Sequence, residues 1–258
     1  MAPHAYLAVL TIALFAMQCG KQPTDNEVST PPELVTGETV SFKTPDGFNI
    51  FAAWFTSNRQ TGRRPAVVLI HPYDEDLGIW VPFVPDLTDA GFHVLAYDVR
   101  GHGRSTFHND AYFPRSRFQI EDFNSMPQDV EGAIGWLKRR ADVDATRIGL
   151  VGAALGANIA YVSSGTNPDV KTAVAISLIT RLRQDILLGA DVAGFKPRSI
   201  LFMASHGDGY TFTSSELLAR ETLEPVRVSG YQGAANGLAL LNNPDARAEI
   251  IQWLRTHL

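Results

Sequence analysis

The chain has 258 residues, 45% of them hydrophobic and 19% charged, with 21 glycines and 15 prolines, a composition that supports one sizeable core and excludes coiled coils, collagen and general disorder. A formal charge of -5 offers no clustered cations to neutralise phosphates, which argues against a nucleic-acid partner. The single cysteine, Cys19, excludes an internal disulfide and any multi-cysteine metal site.

Residues 1–20 contain no Lys, Arg, Asp or Glu, and Leu7 to Met17 is almost wholly apolar. Eleven helical residues rise about 16 Å, short of the roughly 30 Å hydrocarbon core, so residues 1–18 read as a signal peptide. Gln18-Cys19-Gly20-Lys21 follows, and then a polar, Pro-containing run that reads as a tether over residues 19–37. The segment resembles the leader of a bacterial lipoprotein. That resemblance implies lipidation of Cys19, a membrane contact through the lipid alone, and a place in the cell envelope facing the periplasm or outside. Ala16 and Gln18 depart from the usual lipobox, and the alternative is a plain secretory leader.

From Glu38 to Leu258 the sequence alternates short β-rich runs with amphipathic stretches, which predicts one α/β domain. Glu38–Lys43 and Phe48–Thr56 flank the turn signal Thr44-Pro45-Asp46-Gly47 and read as an antiparallel hairpin at a sheet edge. Pro65–Ile70, His93–Tyr97, Arg147–Val151, Thr172–Ser177 and Ser199–Ala204 are continuous apolar runs, the pattern of parallel strands buried on both faces. Helices are expected at Trp80–Ala90, Pro127–Arg139, Leu155–Ser163, Ser214–Leu223 and Pro244–Leu258. The expected architecture is a mostly parallel, doubly wound sheet, which binds ligands beyond the C-terminal strand ends.

There the strand ending at Val151 runs into Gly152-Ala153-Ala154-Leu155-Gly156, the glycine spacing of a G-x-S-x-G nucleophile elbow with Ala154 at its centre. Val67 to Tyr73 includes a His71-Pro72-Tyr73 turn, and Tyr97-Asp98-Val99-Arg100-Gly101-His102-Gly103-Arg104-Ser105 follows the next strand. By these motifs the region from about Phe42 to Leu258 resembles the α/β-hydrolase superfamily, its serine-esterase and dienelactone-hydrolase-like branches especially. The resemblance implies an α/β-hydrolase fold without a large cap domain. It places the triad nucleophile at Ala154, the acid at Asp208 and the histidine at Asn236. It also places oxyanion donors at the N–H groups of Tyr73 and Leu155, with His71, His102, Gly152 and Gly156 as site motif residues.

Two of those three positions lack the necessary chemistry. A methyl group can neither attack nor hold a proton, and a carboxamide does not titrate near neutral pH. The seven histidines are His4, His71, His93, His102, His108, His206 and His257, and only His257 follows Asp208, at the end of a terminal helix. Ser163 and Ser164 lie roughly 15 Å beyond Ala154 along a regular helix, too far to substitute. Asp74-Glu75-Asp76 near His71 and His102 offer metal-type ligands without diagnostic spacing, so neither a metal nor a cofactor is expected. The sequence therefore predicts a non-catalytic hydrolase-like binding module for a small or acyl-type ligand. The alternative is an active ester or acyl hydrolase with a non-standard site, a reading that rests on resemblance.

Overall fold

The structure, a computed structural model, describes residues 37–59, 62–180 and 195–258. The expected leader, Cys19 and nearly all of the tether lie outside the described residues. Ten strands form a single mixed sheet in the order β10-β9-β8-β7-β3-β4-β2-β5-β6, with β1 on the other side of β2. The strands are β1 (Glu38–Lys43), β2 (Phe48–Phe55), β3 (Arg64–Ile70), β4 (His93–Tyr97), β5 (Phe107–His108), β6 (Ala111–Tyr112), β7 (Val143–Ala153), β8 (Val170–Ile176), β9 (Arg198–Ser205) and β10 (Leu223–Tyr231). The six from β10 to β4 run parallel, whereas β1, β2, β5 and β6 pair antiparallel at the opposite end. This is the expected α/β-hydrolase architecture, and no large cap domain interrupts it among the described residues.

Alternate residues of the central strands feed two cores. Val68, Leu150 and Phe202 face α3 (Pro127–Lys138) and α4 (Leu155–Thr166), while Val67, Val151 and Met203 face α1 (Val84–Ala90) and α6 (Pro244–His257). Helix α2 (Ile120–Asn124) and α5 (Gly209–Ala219) complete the layers. The long apolar runs are strands because both their faces are covered, so every side chain in them but that of Arg147 is buried.

Three expectations need correction. The helix expected at Ser214–Leu223 is α5, which starts at Gly209 and stops at Ala219. Its buried residues include Thr211, Ser214 and Ser215, so the inner face has no apolar stripe to read. Leu223 instead opens β10, which was not expected: an edge strand carrying Glu224 and Pro225 reads as a turn. The helix expected from Trp80 begins at Val84, after a 3-10 turn at Leu77–Trp80 that Asp76 caps by accepting from Gly78 N at 2.7 Å.

One ion cluster joins the antiparallel end to the parallel body. The Arg100 guanidinium, 1% exposed, donates to Asp129 Oδ1 at 2.8 Å and to both oxygens of Asp46 at 2.6 and 3.0 Å. Asp129, 0% exposed, also accepts from the Arg100 backbone N–H at 3.0 Å, and the guanidinium lies 4.6 Å over the Phe48 ring. Burial alone would lower the arginine pKa, but the two carboxylates outweigh it and hold it above its ordinary value. Removing one partner leaves a buried charge without its counter-ion. Asp129→Ala is therefore expected to cost about 3–5 kcal/mol in urea unfolding, and Asp46→Ala less, because the Asp46 side chain is 28% exposed and water can replace it.

Candidate active site

The C-terminal ends of β3, β7, β8 and β9 lie side by side and carry the residues in question. Ala154 occupies the turn from β7 into α4 at φ 49°, ψ -114°, a backbone state that L-residues avoid. Its N–H donates to Ile176 O of β8 at 2.9 Å. The flanking glycines are required by space: a Cβ on Gly152 would sit 2.0 Å from Gly156 O, and one on Gly156 would sit 2.1 Å from Ile70 O. The second contact seats the start of α4 against the end of β3. Ala154 is partly exposed. Because its conformation suits glycine and penalises a Cβ, Ala154→Gly is expected to raise stability by about 1 kcal/mol, read as a higher midpoint in urea.

Asp208 and Asn236 meet directly. The Asn236 carboxamide Nδ2 donates to Asp208 Oδ2, with Asp208 at the N-terminus of α5 and partly exposed, and Asn236 exposed in the loop after β10. Gly237 N–H donates to Ser177 Oγ at 2.8 Å, and Ser177 N–H donates to Met203 O at 2.8 Å. Ser177 directly follows Ile176, which accepts from Ala154. Two hydrogen bonds and one peptide link thus carry the Asn236 loop to the Ala154 turn over one edge of the sheet. Ser177 is the fastener, buried and at φ 51°.

Tyr73 and Leu155 both sit at this edge. Leu155 is the first residue of α4, where an N–H has no intrahelical acceptor. The peptide preceding Tyr73 is oriented by His71. Val99 N–H donates to His71 Nε2 at 2.8 Å, so Nδ1 carries the proton and donates to Pro72 O at 2.6 Å. The Pro72 carbonyl is thereby turned toward His71 and the trans Tyr73 N–H away from it. On the far side, Arg115 donates to Tyr73 O and, at 3.0 Å, to Asp74 Oδ1, with its guanidinium 4.7 Å over the Tyr73 ring. Neither Ser177 nor Arg115 was singled out for these parts by the sequence, because bonds to backbone atoms leave no spacing signal.

The remaining motif residues are structural fasteners. Asp98 accepts from Leu77 N at 2.9 Å and Arg104 N at 2.8 Å, and Ser105 Oγ accepts from Phe51 N at 2.9 Å. His102 Nδ1 bonds Arg100 O at 2.9 Å, and its ring packs edge-on to His71 and Tyr73. His206 places its ring on Phe212 and against Gly230 of the outer strand, while His257 lies on Trp253 at the end of α6. Among the described residues, no three His, Cys, Asp or Glu side chains converge as a metal-binding group.

A family model described as serine aminopeptidase, S33, matches residues 61–204, more than half of the chain. The chain belongs to the S33 hydrolase family. The matched stretch contains the Ala154 turn and ends before Asp208 and Asn236. An uncharacterized 31.7 kDa protein from the traX-finO intergenic region of Escherichia coli is 25% identical over 164 residues, covering 63% of this chain and 49% of that protein. The thiohydrolase apmlB of Arthrinium phaeospermum is 34% identical over 142 residues, covering 54% of this chain and 42% of the enzyme. The matches thus span about half or less of these curated relatives. The esterase Pf2001 of Pyrococcus furiosus superposes with a TM-score of 0.67 at 16% identity, over 86% of this chain and 92% of the esterase. That likeness is one of fold, and it extends over the S33 domain beyond the stretch the family model covers.

Burial holds His71 neutral, lowering its pKa to about 3. Since this lies below the unfolded value near 6.5, the unfolded chain gains the extra proton, and the histidine's contribution is full above about pH 6.5 and lost as pH falls toward 3. Asp98, raised to about 6 by burial, has the opposite sign, costing stability as pH rises from about 4 to 6. His71→Gln removes the first effect and keeps the second. Between pH 7 and 4.5 the wild type should lose about 2–3 kcal/mol more than the variant, measured by urea unfolding at the two pH values.

Proposed function

We propose that this chain is a non-catalytic member of its hydrolase family, which uses the old acyl site to bind a small acyl-type or carboxylate ligand. The observation that carries the reading is the Ala154 turn: it keeps the strained conformation and glycine packing of an elbow while presenting only a methyl group. Strain of this kind costs of order 1–3 kcal/mol and persists where the surrounding structure over-determines it, as the Gly152 and Gly156 contacts do here. The partner position supports the same reading. A histidine there would shuttle a proton between nucleophile and leaving group, oriented by the acid; Asn236 instead spends one amide hydrogen on Asp208 and has no proton to exchange. Ala154, Asp208 and Asn236 are on this proposal the vestigial nucleophile, acid and histidine positions.

What remains is recognition chemistry. The Leu155 and Tyr73 N–H groups are the donors for a carbonyl or carboxylate oxygen, an interaction that needs no side-chain nucleophile. His71 and Arg115 set the Tyr73 side of this pair through the bonds described above. Export follows from the apolar leader, and the proposed mature form starts at a lipidated Cys19. Mass analysis of the N-terminal peptide from the membrane fraction should give a chain beginning at Cys19 with a diacylglyceryl addition; an unmodified N-terminus elsewhere would reject the anchor.

Membership of a hydrolase family favours the competing reading, an active esterase with another nucleophile. The purified protein is expected to show neither turnover of an activated aryl ester nor labelling by a serine-directed phosphonate, and saturable labelling of any serine would overturn the non-catalytic reading. Ala154→Ser with Asn236→His is expected to restore ester hydrolysis, and Ala154→Ser alone is not.

A further inference from the structure

Among the described residues the sheet ends on β10, and strand parity shows which of its groups face outward. Tyr231 O accepts from His206 N, just past β9, at 2.8 Å, so Tyr231 turns inward. Arg227 and Ser229 share its parity. Val226, Val228 and Gly230 turn their backbone polar groups away from β9. Val226 N–H takes the Glu224 carboxylate at 2.7 Å, which confirms the parity. The N–H groups of Val228 and Gly230 meet no acceptor among the described residues.

Edge strands are normally guarded by charge, proline or a bulge. Here Glu224, Pro225 and the irregular register between Leu223 and Val226 guard only the start of the strand. From Val226 to Tyr231 the single charge is Arg227, and it is held to one face. On that face Glu249 of α6 gathers Arg227 at 3.5 Å, Ser229 Oγ at 2.6 Å and the Tyr231 hydroxyl.

We propose that β10 is a homodimer interface, at which two copies of this chain pair edge to edge and antiparallel about a two-fold axis through Val228. This register is the one that uses all three outward residues. Val228 faces its own copy and exchanges N–H···O bonds in both directions, and Val226 faces Gly230 of the second chain, whose N–H donates to Val226 O while the Val226 N–H passes from the exposed Glu224 carboxylate to Gly230 O. A slip of one residue would set outward groups against inward ones. The same axis sets Arg227 opposite Ser229 of the second copy, beside the Glu249 that Ser229 binds. Each arginine thus acquires a second carboxylate, and by symmetry the contact occurs twice. This self-complementarity of charge and hydrogen bonding points to a second copy, since an unrelated strand would satisfy the hydrogen bonds but not the charges.

The test uses the full chain carrying Cys19→Ser, free of lipid and of other thiols. Sedimentation equilibrium at micromolar concentration should give the dimer mass. With Val228→Cys added, mild oxidation should yield a disulfide-linked dimer, because directly opposed residues of a hydrogen-bonded pair lie about 5.5 Å apart, inside the roughly 4.4–6.8 Å a disulfide spans. Thr213→Cys, on the exposed side of α5, should cross-link far more slowly. Arg227→Glu should weaken dimerisation tenfold or more, and Arg227→Glu with Glu249→Arg should recover it. Thermal unfolding run in parallel identifies folded variants. A folded monomer throughout, equal cross-linking at residues 228 and 213, or a dimer indifferent to Arg227→Glu would each overturn the proposal.

Discussion

The cluster of Asp46, Arg100 and Asp129 is the constraint on which the rest of this molecule is hung. It takes one carboxylate from the first hairpin turn, one from α3 and the cation from the loop after β4, three segments that no apolar contact would align in so specific a way. Desolvating three charges is expensive, and such a cluster adds little net stability over a well-packed apolar core. What it contributes is choice among arrangements: any shift of the hairpin or of α3 leaves a buried charge exposed to hydrocarbon. With Arg100 fixed, its neighbours Asp98 and His102 are fixed too, and through Val99 so is His71. The Tyr73 turn therefore inherits its position from an ion cluster on the far side of the motif.

This explains how a motif that resembles catalytic machinery survives beside an elbow without a nucleophile. In Asp98-Val99-Arg100-Gly101-His102-Gly103-Arg104-Ser105, backbone or side-chain groups of nearly every residue are engaged in holding loops. Gly103 has no room for a side chain, since a Cβ would lie 2.3 Å from Asp98 Oδ2. None of these duties refers to a reaction. On the proposed reading, a methyl group at position 154 and a carboxamide at 236 remove the chemistry while these bonds of the frame stay in place.

The same distinction decides what was legible from sequence. Strands β3, β4 and β7 to β9 were readable because burial on both faces writes an unbroken apolar run, and the elbow was readable because its glycines answer to sub-van-der-Waals distances. Asn236, put at the histidine position by the resemblance, does meet Asp208. By contrast β10 was hidden by half-exposure and Pro225, and the bounds of α5 were blurred by an inner face in which Thr211, Ser214 and Ser215 are buried beside Leu218. Arg115 and Ser177 were illegible as site residues for a further reason. Each acts on backbone groups more than 40 residues distant, and nothing in local sequence encodes that reach.

The direction of β1 has a consequence for where the chain enters the domain. It runs antiparallel to β2, which runs antiparallel to β4, so β1 points the same way as the parallel strands. The chain therefore enters the domain at their N-terminal ends, where Arg140 lies 3.8 Å from Glu38, and Ala154 lies at the other end of the sheet. The two ends are separated by roughly 20 Å, the length of a seven-residue strand at about 3.3 Å per residue. Whatever docks against the start of β1 therefore meets a different end of the sheet from whatever reaches the Ala154 turn, and the two can be occupied independently.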